Sequence, residues 1–195
     1  ERAAECPFRY FVQYGLGVRA PDEREREAST WLDPLTRGSA MHALFAALMR
    51  EVRDVAGGVF DARAHGERLR ALGGETLARL KDEIPPPSET VYDRERDDFM
   101  NDLDLFVQQQ ARRASTGVGF EVAFGLDDEG RDPALGQRDP IEIDLGGGRR
   151  LRVRGSIDRI DRLPDGTYEV IDYKTGGFWA ADYEGTFGGA TRLQH

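Results

Sequence analysis

Two short stretches of this chain carry acids where acids are costly to keep. Gly155-Ser156-Ile157-Asp158-Arg159-Ile160-Asp161 is followed, after Leu163-Pro164-Asp165-Gly166, by Glu169-Val170-Ile171-Asp172-Tyr173-Lys174-Thr175-Gly176. Proline at the first turn position and glycine at the left-handed bulge position suit a three-residue hairpin loop. Such a loop sets Leu163 opposite Thr167. Counting outward then puts Asp158 opposite Asp172, within a residue if no other bulge intervenes. Cross-strand partners share a face, with Cβ atoms about 4.5–5.5 Å apart. Asp172 and Lys174, two apart on one strand, share a face too. Two carboxylates and an ammonium are therefore expected to converge.

Carboxylates that close repel, and one of them tends to take up a proton. A divalent cation removes the conflict, and oxygen ligands completed by water favour Mg²⁺ or Mn²⁺. Beside such an ion, Lys174 can orient or help deprotonate an attacking water, or neutralise charge developing on a scissile phosphate. The simpler alternative is a cross-strand ion pair between Asp158 and Lys174 on a solvated sheet face. Against it, Val170 and Ile171 are expected to bury the strand leading into Asp172, and two acid-bearing strands registered by one hairpin are rarer than an Asp-x-Lys alone. Glu121, on an earlier strand, is a candidate to support the site from behind the ligands. Arg150, Arg152 and Arg154 alternate with Leu151 and Val153, so their face is expected to continue to Asp158 as a track for a DNA phosphate backbone. A solvated face paired with nearby acids is the alternative.

These residues must be positioned by a framework whose pattern changes midway. An aromatic cluster, Phe8, Tyr10, Phe11 and Tyr14, predicts a short helix within residues 1–19 packed on the body, and residues 20–36 read as irregular, with Pro21 and Pro34 as breakers. Met41, Leu44, Phe45, Leu48 and Val52 recur at helical spacing from about Gly38 to Val55, and Gly57-Gly58 ends the run. A second helix is expected over 61–83, stopped by Pro85-Pro86-Pro87. A third, capped by Ser88, carries Phe99, Leu103, Phe106 and Gln110 to about Ala114. Strands follow over 118–124, 141–145, 149–158 and 167–174, with a loop over 125–140. A glycine- and aromatic-rich stretch over 176–190 precedes the first turn of another helix at 191–195. Helices followed by strands predict an α/β (mixed α+β) class with the sheet covered by helices.

The bulk numbers bound the function. At 195 residues the chain is about one domain, with 39% hydrophobic and 32% charged residues. No apolar run approaches the roughly 18–20 residues of a membrane span, and no secretory signal opens the chain. One cysteine, Cys6, cannot form an internal disulfide, so a cytoplasmic location is expected. The net charge of −9 argues against tight non-specific DNA binding, yet residues 149–162 hold six arginines against two acids.

The Asp158–Lys174 block resembles the RecB/AddB family of PD-(D/E)XK nucleases. Gly38-Ser39-Ala40-Met41-His42 is similar to that family's first motif, Glu5-Cys6-Pro7-Phe8-Arg9-Tyr10-Phe11 to the stretch that precedes the nuclease, and Leu193-Gln194 to the start of the final motif. The resemblance implies a restriction-endonuclease-like core: a central mixed sheet flanked by helices. Residues 1–195 would form one nuclease domain, with an added helical segment at 56–115 and a sheet core with the catalytic motifs at 118–195. Both ends fall inside family motifs, so the chain is expected to be part of a longer one. By similarity His42, Asp158, Asp172 and the backbone carbonyl of Tyr173 would bind metal. Asp172 and Lys174 would be catalytic, and Gln194 would orient the lysine or contact DNA. The reaction would be phosphodiester hydrolysis on DNA ends or single strands delivered by a helicase domain or subunit, in double-strand-break repair and recombination. In AddB-like relatives a cysteine placed like Cys6 joins three later ones around a [4Fe–4S] cluster, so here three more would have to lie beyond His195. The alternatives are a catalytically silent module kept for DNA binding or assembly, and a metal-dependent hydrolase of another phosphate ester.

Overall fold

The computed structural model describes residues 6–18, 29–55, 58–126, 132 and 135–174. The chain divides into two units, Glu1–Glu27 with Gly176–His195, and Ala28–Thr175. In the first, α1 (Pro7–Tyr10) runs into a π-helical turn, Phe11–Gly15, and the Tyr10 and Tyr14 rings lie 4.9 Å apart. Cys6 accepts the Tyr10 N–H at its carbonyl.

The second unit opens with α2 (Pro34–Val55), followed by α3 (Ala62–Glu83) and α4 (Glu89–Gln110). Helix α2 starts four residues before the expected Gly38. Pro34 is not a breaker here but the first helical residue, where a missing N–H costs nothing. Asp33 caps it, accepting from the N–H groups of Leu35 and Thr36 at 3.1 Å each. Asp61 and Ser88 cap α3 and α4 in the same way, through Ala64 N–H and Val91 N–H. The buried stripe of α2, which includes Met41, Leu44, Phe45, Leu48 and Met49, meets Leu69, Leu77 and Leu80 of α3 and Phe99, Leu103 and Phe106 of α4 in one core. Phe45 and Phe106 stack at 4.0 Å. At Gly73 an added Cβ would stand 2.5 Å from Leu103 Cδ1, so any larger residue there would push the Leu103 side chain aside. The helices of the 56–115 segment thus share their core with α2 and with Phe120 of the sheet.

The strands are β1 (Thr116–Phe124), β2 (Ile141–Gly146), β3 (Arg149–Val153), β4 (Gly155–Arg162) and β5 (Tyr168–Ile171). They form an antiparallel three-stranded sheet, β1-β4-β5, and a separate antiparallel pair, β2-β3. A single parallel bridge joins Phe124 to Gln137. The stretch expected as one strand over 149–158 is two strands in two sheets. Alternation runs through Arg154 unbroken, but the partner changes there, from β2 to β1, and alternation does not register a change of partner. The β4–β5 loop takes the expected form: Gly166 has φ +86°, and Leu163 N–H donates to Thr167 O at 2.8 Å. Among the described residues no helix is long and apolar enough to cross a membrane.

Candidate metal centre

The hairpin register carries Arg159↔Ile171, so Asp158 and Asp172 stand opposite one another one step on. The ladder stops before that step. Asp158 Oδ2 instead accepts the Tyr173 N–H at 2.7 Å, so a side chain occupies the place a strand carbonyl would take. On the other side of β4, the pairs Phe120↔Arg159 and Val122↔Ile157 set Glu121 opposite Asp158. Three acids, Glu121, Asp158 and Asp172, therefore form a row across three strands.

Helix α2 brings His42 to this row. Its Nε2 lies 3.0 Å from the Tyr173 carbonyl oxygen, which fits Nε2–H as donor and leaves Nδ1 facing the acids. Nδ1 stands 3.5 Å from Asp158 Oδ2 and 3.8 Å from Glu121 Oε1. One ligand atom from each of His42, Glu121 and Asp158 lies within 4.8 Å of the other two. Metal–ligand distances of about 2.0–2.6 Å place ligands of one ion at most about 5 Å apart, so the set fits a single divalent cation. One imidazole and two carboxylates suit Mg²⁺, Mn²⁺ or another ion that takes oxygen and nitrogen. The hydrogen bond to Asp158 pushes the His42 pKa up against the opposing effect of burial, helped by the charges of Asp158 and Glu121 and by the Tyr173 carbonyl. Burial works to raise the Asp158 pKa but is outweighed, and His42, the Tyr173 N–H and the charge of Lys174 hold it below the ordinary carboxylate value.

A buried polar network holds Tyr173 where its backbone serves the site. Its ring packs edge-on against Phe45 at 5.1 Å and His42 at 5.6 Å. Its hydroxyl lies 3.4 Å from Arg159 Nη1, which donates to Gln110 Oε1 at 2.6 Å. Arg159 grips Asp161 with two hydrogen bonds of 2.5 and 2.8 Å, and Ser115 donates to the same carboxylate at 2.6 Å. Arg159 and Asp161 are both essentially inaccessible, so Arg159 depends on Asp161 for its counter-charge, while Asp161 also has Arg113 Nε at 3.5 Å.

The expected site residues fare differently. His42, Asp158 and the Tyr173 carbonyl come together. Asp172 stands outside the three-ligand group, its carboxylate ion-paired with Lys174, and both side chains are partly exposed. The strand leading into it is not buried as expected, since Val170 on this edge strand is exposed. Gln194 lies outside the described residues, and Cys6 belongs to the other unit. The expected arginine track spans two sheets: Arg150 and Arg152 sit on β3 with Glu142 at 3.2 and 3.9 Å, and Arg154 falls at the break between β3 and β4. Glu121, expected behind the candidate ligands, stands level with His42 and Asp158. Its signal is an acid inside an apolar strand, but its register against β4 is set across some 30 intervening residues, which local turn chemistry does not reach.

Comparison with known proteins bears on the same residues. The B-subunit of ATP-dependent helicase/deoxyribonuclease from Acetivibrio thermocellus is 31% identical over 185 residues, covering 91% of this chain and 15% of that protein. The proteins of the same name from Ruminiclostridium cellulolyticum and Symbiobacterium thermophilum are each 32% identical, over 90% of this chain and 15% of their own length. The chain thus spans about a seventh of the relatives it matches. A profile of one superfamily, the PD-(D/E)XK nucleases, fits residues 1–186 and so takes in His42, Glu121, Asp158, Asp172 and Lys174 together. On that match, the chain belongs to the PD-(D/E)XK nuclease superfamily.

Proposed function

We propose that this chain is a divalent-cation-dependent deoxyribonuclease module that hydrolyses phosphodiester bonds in DNA. The observation that carries the reading is the convergence of His42, Glu121 and Asp158 within 4.8 Å, beside the Asp172–Lys174 pair. His42 Nδ1, Glu121 and Asp158 would hold the cation, with Asp172 as a further ligand, while the Tyr173 carbonyl, expected as a ligand, is taken up by His42 Nε2 on the far side of the ring. When bound, such an ion supplies a Lewis acid for a phosphoryl oxygen and lowers the pKa of a coordinated water. The hydrogen bond from His42 Nε2 to Tyr173 fixes the ring so that Nδ1 faces the carboxylates. Lys174, held by Asp172, offers an ammonium to orient the attacking water or to offset charge on the phosphate.

The relatives' name joins a helicase to a deoxyribonuclease, and we place the module in such an assembly. It would act on DNA ends or single strands in double-strand-break repair and recombination. Arg150, Arg152 and Arg154 are proposed to touch phosphates. Exposed pairs such as Arg150–Glu142 are worth little, so exchange of Glu142 for a phosphate costs little. Cys6 supplies one thiolate, and a [4Fe–4S] cluster would require three more from outside these 195 residues.

The test is cleavage of linear single- and double-stranded DNA with Mg²⁺ or Mn²⁺. Cleavage should stop with EDTA, and Lys174→Ala should lower kcat by about 10²-fold or more while the circular dichroism stays unchanged. A protein that binds DNA equally well with and without the cation and never cuts it would favour the silent-module reading instead.

A further inference from the structure

Among the described residues Glu121 is the one non-glycine with a positive φ, +52°. A side chain with a Cβ occupies that region at a cost and stays there only where its surroundings over-determine it. Strand alternation fails on either side of this point: Gly119 and Phe120 are both buried, as are Val122 and Ala123. Such a twist re-aims a side chain, and here the carboxylate of Glu121 ends beside His42.

The surroundings that hold the twist are specific. Phe120 N–H donates to Asp132 Oδ2 at 3.1 Å, and Asp132 N–H returns a bond to the Glu121 carbonyl at 3.0 Å. Arg53 Nη1 donates to the same Asp132 oxygen at 2.8 Å and to the Val118 carbonyl at 3.1 Å. Arg50 Nη2 donates to the Phe120 carbonyl at 2.7 Å. The Asp132 side chain has no accessible surface, so an ionised carboxylate there requires these donors. Arg50 and Arg53 follow His42 on α2 by eight and eleven residues, which is helical spacing for one face. The helix that presents His42 therefore also grips the strand that presents Glu121.

We propose that Asp132, together with Arg53, is a positioning pair for the cation site. It holds Glu121 in its left-handed conformation and so sets the distance between the Glu121 carboxylate and His42. This inference rests on the reading of His42, Glu121 and Asp158 as a divalent-cation site.

A double-mutant cycle on the 195-residue chain tests it, with Mn²⁺ affinity from calorimetry and Tm as readouts. Glu121→Gln should weaken Mn²⁺ binding, and Asp132→Asn should weaken it about tenfold by loosening the hold on Glu121. The double variant should bind no more weakly than Glu121→Gln alone, because Asp132 acts through Glu121. If Asp132→Asn multiplies the loss by the same factor in both backgrounds, or leaves affinity unchanged, the positioning role is overturned while the site stands. If the wild-type chain binds no Mn²⁺, or Glu121→Gln does not weaken binding, the site reading fails and the inference falls with it. Should Asp132→Asn not fold, Arg53→Lys goes through the same cycle, since it keeps the charge and loses the fork. Tm supplies a metal-free check. Glu121→Gly should melt above Glu121→Ala, since both lose the carboxylate and only glycine adopts this φ without strain. A Glu121→Gly chain that melts below Glu121→Ala would show that no strain is held at this position and would overturn the proposal.

Discussion

His42 and Asp158 lock each other's protonation states, and the directions of their shifts fix a pH window. The folded pKa of His42 lies above 6.5, so its contribution to stability is fully present below that value and is lost as pH rises through the folded pKa. The folded pKa of Asp158 lies below 3.8, so its contribution is present above that value and is lost as pH falls through the folded pKa. In EDTA the Tm difference between the wild-type chain and His42→Gln should therefore be largest between these limits and shrink as pH rises through the folded pKa of His42. A difference that grows with pH would contradict the pairing. A cation at Nδ1 displaces the proton there, so Mn²⁺ affinity should rise over the same span in which this stabilisation fades. The pairing of Asp158 with Asp172 is legible in sequence, because Pro164-Asp165-Gly166 sets a register by local rules. The separation of Asp172 towards Lys174 is not, because it depends on how the strands part beyond the ladder.

Among the elements, β4 does two jobs on alternate residues. Asp158 faces the row of acids, while Arg159 and Asp161 carry a buried ion pair that reaches Gln110 at the end of α4 and the hydroxyl of Tyr173. Removing Arg159 leaves the buried Asp161 with only the Ser115 hydroxyl and the longer 3.5 Å contact to Arg113. Arg159→Met should therefore cost about 3–5 kcal/mol in urea denaturation, whereas Arg159→Met with Asp161→Leu should cost far less. Equal losses from the single and double variants would mean that the pair does not act as a unit. The helices are readable in sequence because periodicity, caps and breakers agree, as at Asp61 and Ser88. The start of α2 is harder to read, because proline both interrupts helices and begins them, and only the Asp33 cap decides between the two. The β3–β4 break is hidden because Arg150, Leu151, Arg152, Val153 and Arg154 alternate regardless of which strand they pair with.

For the whole molecule, a net charge of −9 makes any DNA binding depend on where the positive charge is gathered. Arg150, Arg152 and Arg154 lie close together in the chain and are exposed. Replacing all three with alanine should reduce the slope of log affinity against log salt by roughly 2, at about 0.7–0.9 for each phosphate no longer neutralised. An unchanged slope would take these arginines out of the DNA path. The superfamily is legible because its motif residues are spread from the N-terminal stretch to Lys174 in a fixed order, and a profile match over residues 1–186 reads the same order.

Tyr173 has both of its main-chain hydrogen-bonding groups engaged by side chains, the N–H by Asp158 and the carbonyl by His42. The β4–β5 zipper cannot close another notch without evicting one of the two residues that would grip an ion. The candidate pocket is in this sense its own stopper. The same bonds that leave a gap between the strands keep that gap from sealing, and at Tyr173 they deny a foreign strand the main-chain groups it would need to join.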